Sequence, residues 1–249
     1  MSGPRLLTSR LLEGFRHGFT TRDGGSSRGP FRSLNLSTSV GDDPERVLEN
    51  WERLRQATGL GFARVRQVHG CRVVEADAEP GAAPGEEADA VISAISGVAA
   101  SVAVADCVPV LIADPRSGSA AAVHAGWRGT LARVAAEGVR ALVTRHGARP
   151  SDLLAVIGPS IGPCCFEVSR ELAARFRDEL GAATGNPRNI GSRADLWLAN
   201  EQVLKGAGLV RRRIEVLGRC TSCEGDVFFS HRRDQGRTGR HLAFIAPVS

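Results

Sequence analysis

Several residue types are scarce or missing in this chain of 249 residues, and each absence argues against particular classes of function. Tyrosine is absent, Met1 is the only methionine and Lys205 is the only lysine, so arginine carries nearly all the positive charge. We interpret the net charge of +5 as a compositional bias, because the basic residues are scattered and residues 211–213 form the densest cluster. We therefore expect no nucleic-acid partner. The hypothesis that arginines line a pocket for a small anion is still compatible with the composition, since guanidinium groups fit phosphate well.

Long apolar runs are also lacking. No run approaches the roughly 20 residues that span a bilayer, and arginine and glutamate interrupt the N-terminal residues where a signal peptide would be continuously apolar. We expect a cytoplasmic protein with no membrane partner. Hydrophobic residues make up 42% of the chain, enough for a substantial core, and no repeat or low-complexity linker divides it. Residues 1–249 are therefore expected to form one α+β domain, a monomer or weak homodimer.

Helical spacing predicts four helices. The first has Asp43 as N-cap and Pro44 at its first position, and it ends at Gly59. The others are predicted over residues 130–146, 169–180 and 196–206.

Strands are expected to outnumber the helices. Alternation predicts a hairpin or strand pair over residues 63–76, and near-continuous small and branched residues predict buried strands over 98–115 and 118–129. Further strands are predicted at these positions: 16–22, 153–157, 213–220, 227–233 and 241–248. A polar, glycine-rich stretch over residues 23–43 is typical of a binding loop, and residues 77–89 are expected to form a surface loop.

The six cysteines are expected to be thiols or metal ligands rather than disulfides in a cytosolic chain. Cys164 and Cys165 are adjacent, which is unusual for a structural disulfide. Cys220 and Cys223 form a C-x-x-C motif, but a structural zinc site needs a second such pair and the sequence offers none. This motif is therefore expected to pack rather than to carry chemistry.

Three residues stand near the ends of predicted strands and offer metal-ligand chemistry. His69, Cys107 and His124 are 38 and 17 residues apart, and small or turn-forming residues flank each of them. A His₂Cys set suits zinc with an open fourth position. A buried small thiol and two core histidines would explain the same residues. So would a Cys107/His124 nucleophile and base without metal.

An ordered series of motifs resembles the YfiH-like family, also called the laccase-domain or polyphenol-oxidase family. The motifs run from about Arg16 to the C-terminus and are HGFTTRDGG, GPFRSLNL, GDDPERVLEN, QVHG, ADCVPVLIAD, HAGWRGT, IGPSIGPCCFEV, DLWLANEQVL and FFSHRRDQGRTGR. The resemblance implies a four-layer α/β/β/α sandwich with mixed sheets, related to the catalytic domain of cytotoxic necrotizing factor. It also implies metal ligands at His69, Cys107 and His124.

The function that this resemblance implies is a zinc-dependent purine nucleoside enzyme. Its expected reactions are phosphorolysis of adenosine, inosine, guanosine and methylthioadenosine, and deamination of adenosine. Nucleosides and phosphate are the expected small-molecule partners. Family members commonly have tyrosine where this chain has Phe31, Phe166 and His231, so no role of those hydroxyls carries over.

Roles can be assigned to further residues on the same basis. Cys107 and His124 are expected to be catalytic as well as ligating, and Arg128, four residues after a ligand, is the first candidate to hold an anion during catalysis. It could equally be a solvated residue at a helix start. Arg22 and Asn35, in the glycine-rich loop, are expected to bind substrate.

Three further positions complete the assignments. Cys164, in a Gly/Pro-rich turn, and Arg232 are also candidate substrate-binding residues, although a tight turn and a solvated edge would explain them as well. Asp106 is a candidate to support a ligating histidine, with strand alternation against it. Trp127 is expected to belong to the core.

Two rival functions stay open. The first is a copper-dependent polyphenol oxidase, or laccase. Met1 is the only methionine, and the six histidines include no H-x-H pair, so a blue-copper centre with an axial Met and a trinuclear copper cluster are disfavoured. Copper could still replace zinc adventitiously. The second rival is a hydrolase that removes misincorporated amino acids from peptidoglycan precursors.

Overall fold

A computed structural model describes residues 3–78, 85–180 and 193–248. Strands β1 to β11 span, in order, Leu6–Leu7, Arg16–Thr20, Gly61–Ala63, Val73–Glu75, Ala90–Ser93, Val98–Val104, Val108–Ala113, Ala120–Ala125, Leu154–Ile157, Ile214–Val216 and His241–Ala246. Helices α1 to α5 span Pro44–Thr58, Trp127–Leu131, Val134–His146, Arg170–Leu180 and Leu196–Gly206.

The described strands form two mixed sheets. The five-stranded sheet has the order β1-β2-β11-β6-β3, and the six-stranded sheet has the order β10-β9-β7-β8-β5-β4. Both contain parallel and antiparallel neighbours; β3 runs parallel to β6, for example, and β7 antiparallel to β8. Helix α1 packs on the outer face of the first sheet, and α3 to α5 pack on the outer face of the second. The expected α/β/β/α sandwich is confirmed.

Buried side chains alternate between the two faces of the central strands. On β7, Leu111 and Ala113 lie between the sheets, whereas Val110 and Ile112 pack against the helices. Both faces of this strand are covered, which is why its sequence is continuously apolar. On β8, alternation places His124 on the inter-sheet side. This side leads to the site described below.

Helix α1 has the predicted bounds. The Asp43 side chain accepts from the Glu45 backbone N–H, and Pro44 starts the first turn. Gly59 ends the helix in the left-handed conformation with φ of 64°. The helices predicted over 169–180 and 196–206 and the strand over 153–157 are also confirmed.

Three predicted elements are wrong. Residues 63–76 form no strand pair, because β3 and β4 belong to different sheets and the chain between them crosses from one to the other. In place of one helix over 130–146 there are two, α2 beginning at Trp127 and α3 at Val134. The break between them includes Arg133, which has a left-handed φ of 58°. Residues 227–233 form turns, in which the Asp234 N–H donates to the Ser230 carbonyl.

Residues 79–84 of the predicted loop 77–89 lie outside the described residues. Among the helices that the structure describes, none is long and apolar enough to cross a membrane.

Candidate metal centre and substrate cavity

Three distant parts of the chain bring His69, Cys107 and His124 together. His69 lies on the loop that connects β3 to β4 and has a left-handed φ of 61°. Cys107 directly precedes β7, and His124 is on β8. Their donor atoms all lie within 4.8 Å of one another. The Cys107 Sγ is 3.9 Å from the His69 Nε2, and the two imidazole rings are 4.9 Å apart in an edge-to-face arrangement.

A buried carboxylate that the sequence did not single out organises this cluster. The Oδ1 of Asp89 accepts from the His69 backbone N–H at 2.9 Å and lies 2.8 Å from the His124 Nδ1. Its Oδ2 accepts from the N–H groups of Val68 at 3.2 Å and Gly70 at 2.7 Å. Asp89 thus fixes both the loop that carries His69 and the ring of His124. The available signal was an aspartate placed directly before the buried strand β5.

Electrostatics within the cluster favour a charged pair. Burial would raise the pKa of the Cys107 thiol, but His124 and hydrogen bonds from both histidines lower it from 9.0 to about 6. Burial would lower the pKa of His124, but the Cys107 charge and the Asp89 hydrogen bond raise it to about 9. Burial also opposes ionisation of Asp89, yet the His124 and Gly70 hydrogen bonds hold its pKa below its usual value. At neutral pH a thiolate therefore faces an imidazolium.

The donor set fits a tetrahedral metal. Asp89 occupies the His124 Nδ1, so the Nε2 is the nitrogen that could bind a metal, as in the usual arrangement of a metal-bound histidine. Gly126 lies against the cluster, where a Cβ would be 3.0 Å from both the Cys107 Sγ and the His69 Cδ2. Two imidazoles and one thiolate are the donors of a zinc site that keeps one position open.

A cavity of about 730 Å³ opens above the three side chains. Aromatic groups line one part of it: Trp51, Trp127, Phe166 and His231. Four arginines line it as well: Arg64, Arg66, Arg232 and Arg240. A mixed aromatic and cationic wall suits a ligand with a flat ring and a negative charge.

Two of these arginines make no ion pair with any described residue. Arg64 lies over the Trp51 ring at 4.3 Å, and burial together with Arg55 lowers its pKa to about 10, which leaves it charged at neutral pH. Burial also lowers the pKa of Arg240, while Cys107 and Asp106 oppose this change. Arg64 is therefore free to hold an anion in the cavity. Arg240 also carries a charge without an ion pair among the described residues, but its Nη1 already donates to the carbonyls of Thr238 and Gly239.

The other two cavity arginines are also held by neighbouring groups. Arg66 pairs with Glu87 at 2.7 Å. Arg232, a predicted substrate residue, lines the cavity, donates to the Glu167 carbonyl and lies over the Phe166 ring at 5.4 Å.

The other predicted catalytic and loop residues lie away from the cavity wall. Arg128 is exposed, and its guanidinium stacks on the neighbouring Trp127 ring at 4.3 Å. Arg22 donates to the Gly225 carbonyl at 2.6 Å, and the fully buried Asn35 supports the loop that contains it. Of that loop, only residues 36–39 line the cavity.

Three further expectations have mixed outcomes. Cys164 lies in a separate cysteine cluster rather than beside His69 or His124. Asp106 accepts from the Thr221 hydroxyl and the Arg232 N–H, so it supports the cavity wall and not a ligating histidine. Trp127 is half-buried: it packs against the hydrophobic core, as expected, and it also lines the cavity.

Comparisons with known proteins agree with this architecture. A family model described as multi-copper polyphenol oxidoreductase laccase matches residues 16–247. A purine nucleoside phosphorylase of Deinococcus radiodurans is 44% identical over 236 residues, which cover 92% of this chain and 88% of that protein. The purine nucleoside phosphorylase YlmD of Geobacillus stearothermophilus is 41% identical over 244 residues, with the same two coverages.

Solved structures give the same result. The crystal structure of YlmD from Geobacillus stearothermophilus superposes with a TM-score of 0.92 at 36% identity and covers 100% of this chain and 97% of that chain. The structure of a hypothetical protein YfiH from Bacillus licheniformis superposes with a TM-score of 0.89 at 33% identity, covering 99% and 97%. The resemblance read from the motifs is confirmed: the chain belongs to the family described as multi-copper polyphenol oxidoreductase laccase, together with the YlmD and YfiH proteins.

Proposed function

We propose that this protein is a zinc-dependent purine nucleoside phosphorylase that acts on adenosine, inosine, guanosine and methylthioadenosine and also deaminates adenosine. The observation that carries the proposal is a cavity with unpaired arginines and aromatic rings directly above a His₂Cys cluster. Relatives named purine nucleoside phosphorylase match 92% of the chain, which supports purine nucleosides as the substrate class.

Phosphorolysis needs a held phosphate and a leaving purine. An oxygen of phosphate forms a bond to C1′ of the ribose, the bond from C1′ to the base nitrogen breaks, and its electrons stay on the base, which takes up a proton. Arg64 and Arg240 line the cavity, make no ion pair with a described residue, and are the groups proposed to bind phosphate. Binding there offsets the cost of burying both guanidinium groups.

The purine requires a flat apolar contact. Phe166 and Trp127 line the cavity and offer flat ring surface, each with a guanidinium group already lying over its ring. Stacking of a base on an aromatic ring is worth roughly 1–3 kcal/mol. Phe166 is buried to 8% exposure and the Arg232 guanidinium lies over its ring, so the ring is held in a fixed orientation.

The metal would be held by His69, Cys107 and His124. When bound, Zn²⁺ supplies Lewis-acid polarisation at its open position. The protein contributes the rest of the geometry: Asp89 holds the His124 proton at Nδ1, and Gly126 keeps the space beside Cys107 clear. Copper binds such donors tightly and could replace zinc adventitiously.

The test is an assay of the zinc-loaded protein with adenosine, following adenine, ribose-1-phosphate and inosine with and without phosphate. Adenine and ribose-1-phosphate should form only when phosphate is present, whereas inosine should form in either case. Arg64→Met should raise the KM for phosphate about tenfold or more, since it removes an unpaired cavity charge. Arg66→Met is the matched control, because Arg66 lines the same cavity but is paired with Glu87. Absence of all three products, or equal effects of the two substitutions, would contradict the proposal.

A thiol hydrolase acting on peptidoglycan precursors is the second candidate. The Asp89–His124–Cys107 chain, with a thiolate favoured at neutral pH, is the observation in its favour. Cleavage of a serine-containing muropeptide precursor that survives complete removal of metal, with no phosphorolysis in the zinc-loaded protein, would select it.

A laccase activity is less well supported. All six histidines lie in the described residues, and only His69 and His124 occur in the groups with metal-ligand spacing. A multicopper cluster needs more of them. Stoichiometric copper without zinc, in protein purified with no added metal, would restore this alternative.

A further inference from the structure

A second group of metal-ligand side chains lies apart from the site described above. Cys164 and Cys165 belong to the turn that precedes α4, and Cys220 and Cys223 belong to the turn that follows β10. Their four Sγ atoms all lie within 4.8 Å of one another. The expectation that the C-x-x-C motif has no second pair is wrong, because the fold brings it against the two adjacent cysteines.

The spacing of the sulfurs matches a closed tetrahedral site. The Cys223 Sγ is 3.5 Å from the Cys164 Sγ and 3.4 Å from the Cys165 Sγ. Four thiolates about 2.3 Å from one Zn²⁺ would place their sulfurs roughly 3.8 Å apart. The observed group needs adjustments of only a few tenths of an ångström to reach that geometry at these two pairs. All four cysteines are free thiols in the structure.

We propose that Cys164, Cys165, Cys220 and Cys223 bind a structural Zn²⁺ ion that is separate from the His69–Cys107–His124 centre. Binding exchanges the thiol protons for the metal and releases them to solvent. Four sulfur donors leave no open position, so this ion holds structure and performs no chemistry on substrate.

The surrounding backbone suits a thiolate site. The Gly162 N–H donates to the Cys220 Sγ at 3.3 Å, as backbone amides do to metal-bound sulfur. Gly162 itself is held between neighbours, since a Cβ there would be 2.7 Å from the Trp197 ring and 3.3 Å from the Cys164 Sγ. The turn with the adjacent cysteines therefore presents both thiols from a constrained backbone.

The two turns that the ion would join also build the wall of the cavity. Ile161 and Phe166, on either side of the first cysteine pair, line it. On the second turn, Thr221 donates to the Asp106 carboxylate at 2.6 Å, directly beside Cys107. The chain then continues to Arg232, another lining residue. A zinc ion in the cysteine cluster would fix the position of this wall without touching the substrate.

The experiment measures zinc per chain in protein purified under reducing conditions and equilibrated with zinc, followed by gel filtration. Cys164→Ser/Cys223→Ser changes only two exposed members of the cluster, so it removes two ligands without opening the core. Cys71→Ser is the matched control, because Cys71 is an exposed cysteine outside both clusters. His69→Ala tests the other centre separately.

The double variant should hold one zinc ion fewer than wild type, and Cys71→Ser should hold the same number as wild type. His69→Ala combined with the double variant should lose the remaining ion, so the two sites are counted independently whatever the activity proves to be. Cobalt substitution gives a second readout: sulfur-to-cobalt charge-transfer absorption should fall by more than half in the double variant, since most thiolate ligands lie in this cluster. Equal zinc contents in wild type and double variant would overturn the proposal. A disulfide from Cys223 to Cys164 or Cys165 under reducing conditions would overturn it too, as would iron in place of zinc at this site.

Discussion

Replacing Asp89 with asparagine should weaken both the fold around the site and its affinity for metal. Each carboxylate oxygen of Asp89 serves two donors: Oδ1 meets the His69 N–H and the His124 Nδ1, and Oδ2 meets the N–H groups of Val68 and Gly70. An amide has only one oxygen. In one orientation its NH₂ group faces the N–H groups of Val68 and Gly70. In the other it faces the His69 N–H and the His124 ring, whose Nδ1 can then accept. In either case at least one backbone N–H and one amide hydrogen lose a partner beside this buried position.

The size of the effect follows from that count. Each unsatisfied buried group costs about 1–3 kcal/mol, so Asp89→Asn should lower the free energy of unfolding of the metal-free protein by roughly 2–6 kcal/mol. Loss of the partner that orients a ligating histidine weakens metal binding about 10- to 100-fold. Urea unfolding in the presence of chelator measures the first effect, and competition with a chromophoric chelator measures the second.

Asp114→Asn is the matched control. Asp114 is also buried, but it accepts from the Arg116 N–H and the Ser117 hydroxyl in the turn after β7. Its replacement should lower stability and leave the metal dissociation constant within about twofold, because no ligand depends on it. The reasoning fails if Asp89→Asn keeps both the wild-type unfolding free energy and the wild-type metal affinity, or if both aspartate variants lose metal equally.

Two further predictions concern His241 and Gly126. Burial and the charges of Arg22 and Arg240 lower the pKa of His241 from 6.5 to about 3, so between these values the unfolded chain binds a proton that the folded chain does not, and stability falls as the pH falls. The free energy of unfolding at pH 5 should be roughly 2 kcal/mol lower than at pH 7.5 for this reason. His241→Gln keeps an acceptor for the Phe229 N–H and should remove that part of the pH dependence, as measured by urea unfolding. The control His231→Gln, at an exposed position, should not remove it. Gly126→Ala should weaken zinc binding about tenfold, because its methyl group would press on Cys107 and His69. The control is Gly14→Ala, whose methyl group would have no neighbour within 4 Å and should leave zinc affinity unchanged. Equal zinc affinities in the two variants would refute this prediction.

Local chemistry explains what could be predicted from the sequence. The bounds of α1 depend on Asp43, Pro44 and Gly59, all of which act within one helical turn, so they were readable without the fold. The buried strands β7 and β8 were readable for a similar reason, since a strand covered on both faces must be apolar throughout. The candidate ligands were assigned because ordered motifs resemble a known family. Their spacing alone favoured a buried thiol and core histidines, and it also left open a Cys107/His124 pair without metal.

The crossing between the sheets was not readable, because alternation over residues 63–76 fits two strands in one hairpin as well as two strands in different sheets. Only the pairing of β3 with β6 and of β4 with β5 decides between them. The same pairing places the loop with His69 over Asp89, which is 20 residues further along the chain. The organisation of residues 1–249 as one domain stays a prediction.

The sequence by itself therefore determined the elements whose signals are local and, through its motifs, the family; the same motifs named the three candidate ligands. Tertiary structure alone decided which polar groups meet. Asp89 lies 35 residues from His124, and Cys165 lies 58 residues from Cys223, so no periodicity or spacing rule connects them. Contacts of that separation form only when the sheets pack, because packing is what offsets the entropy of closing such long loops.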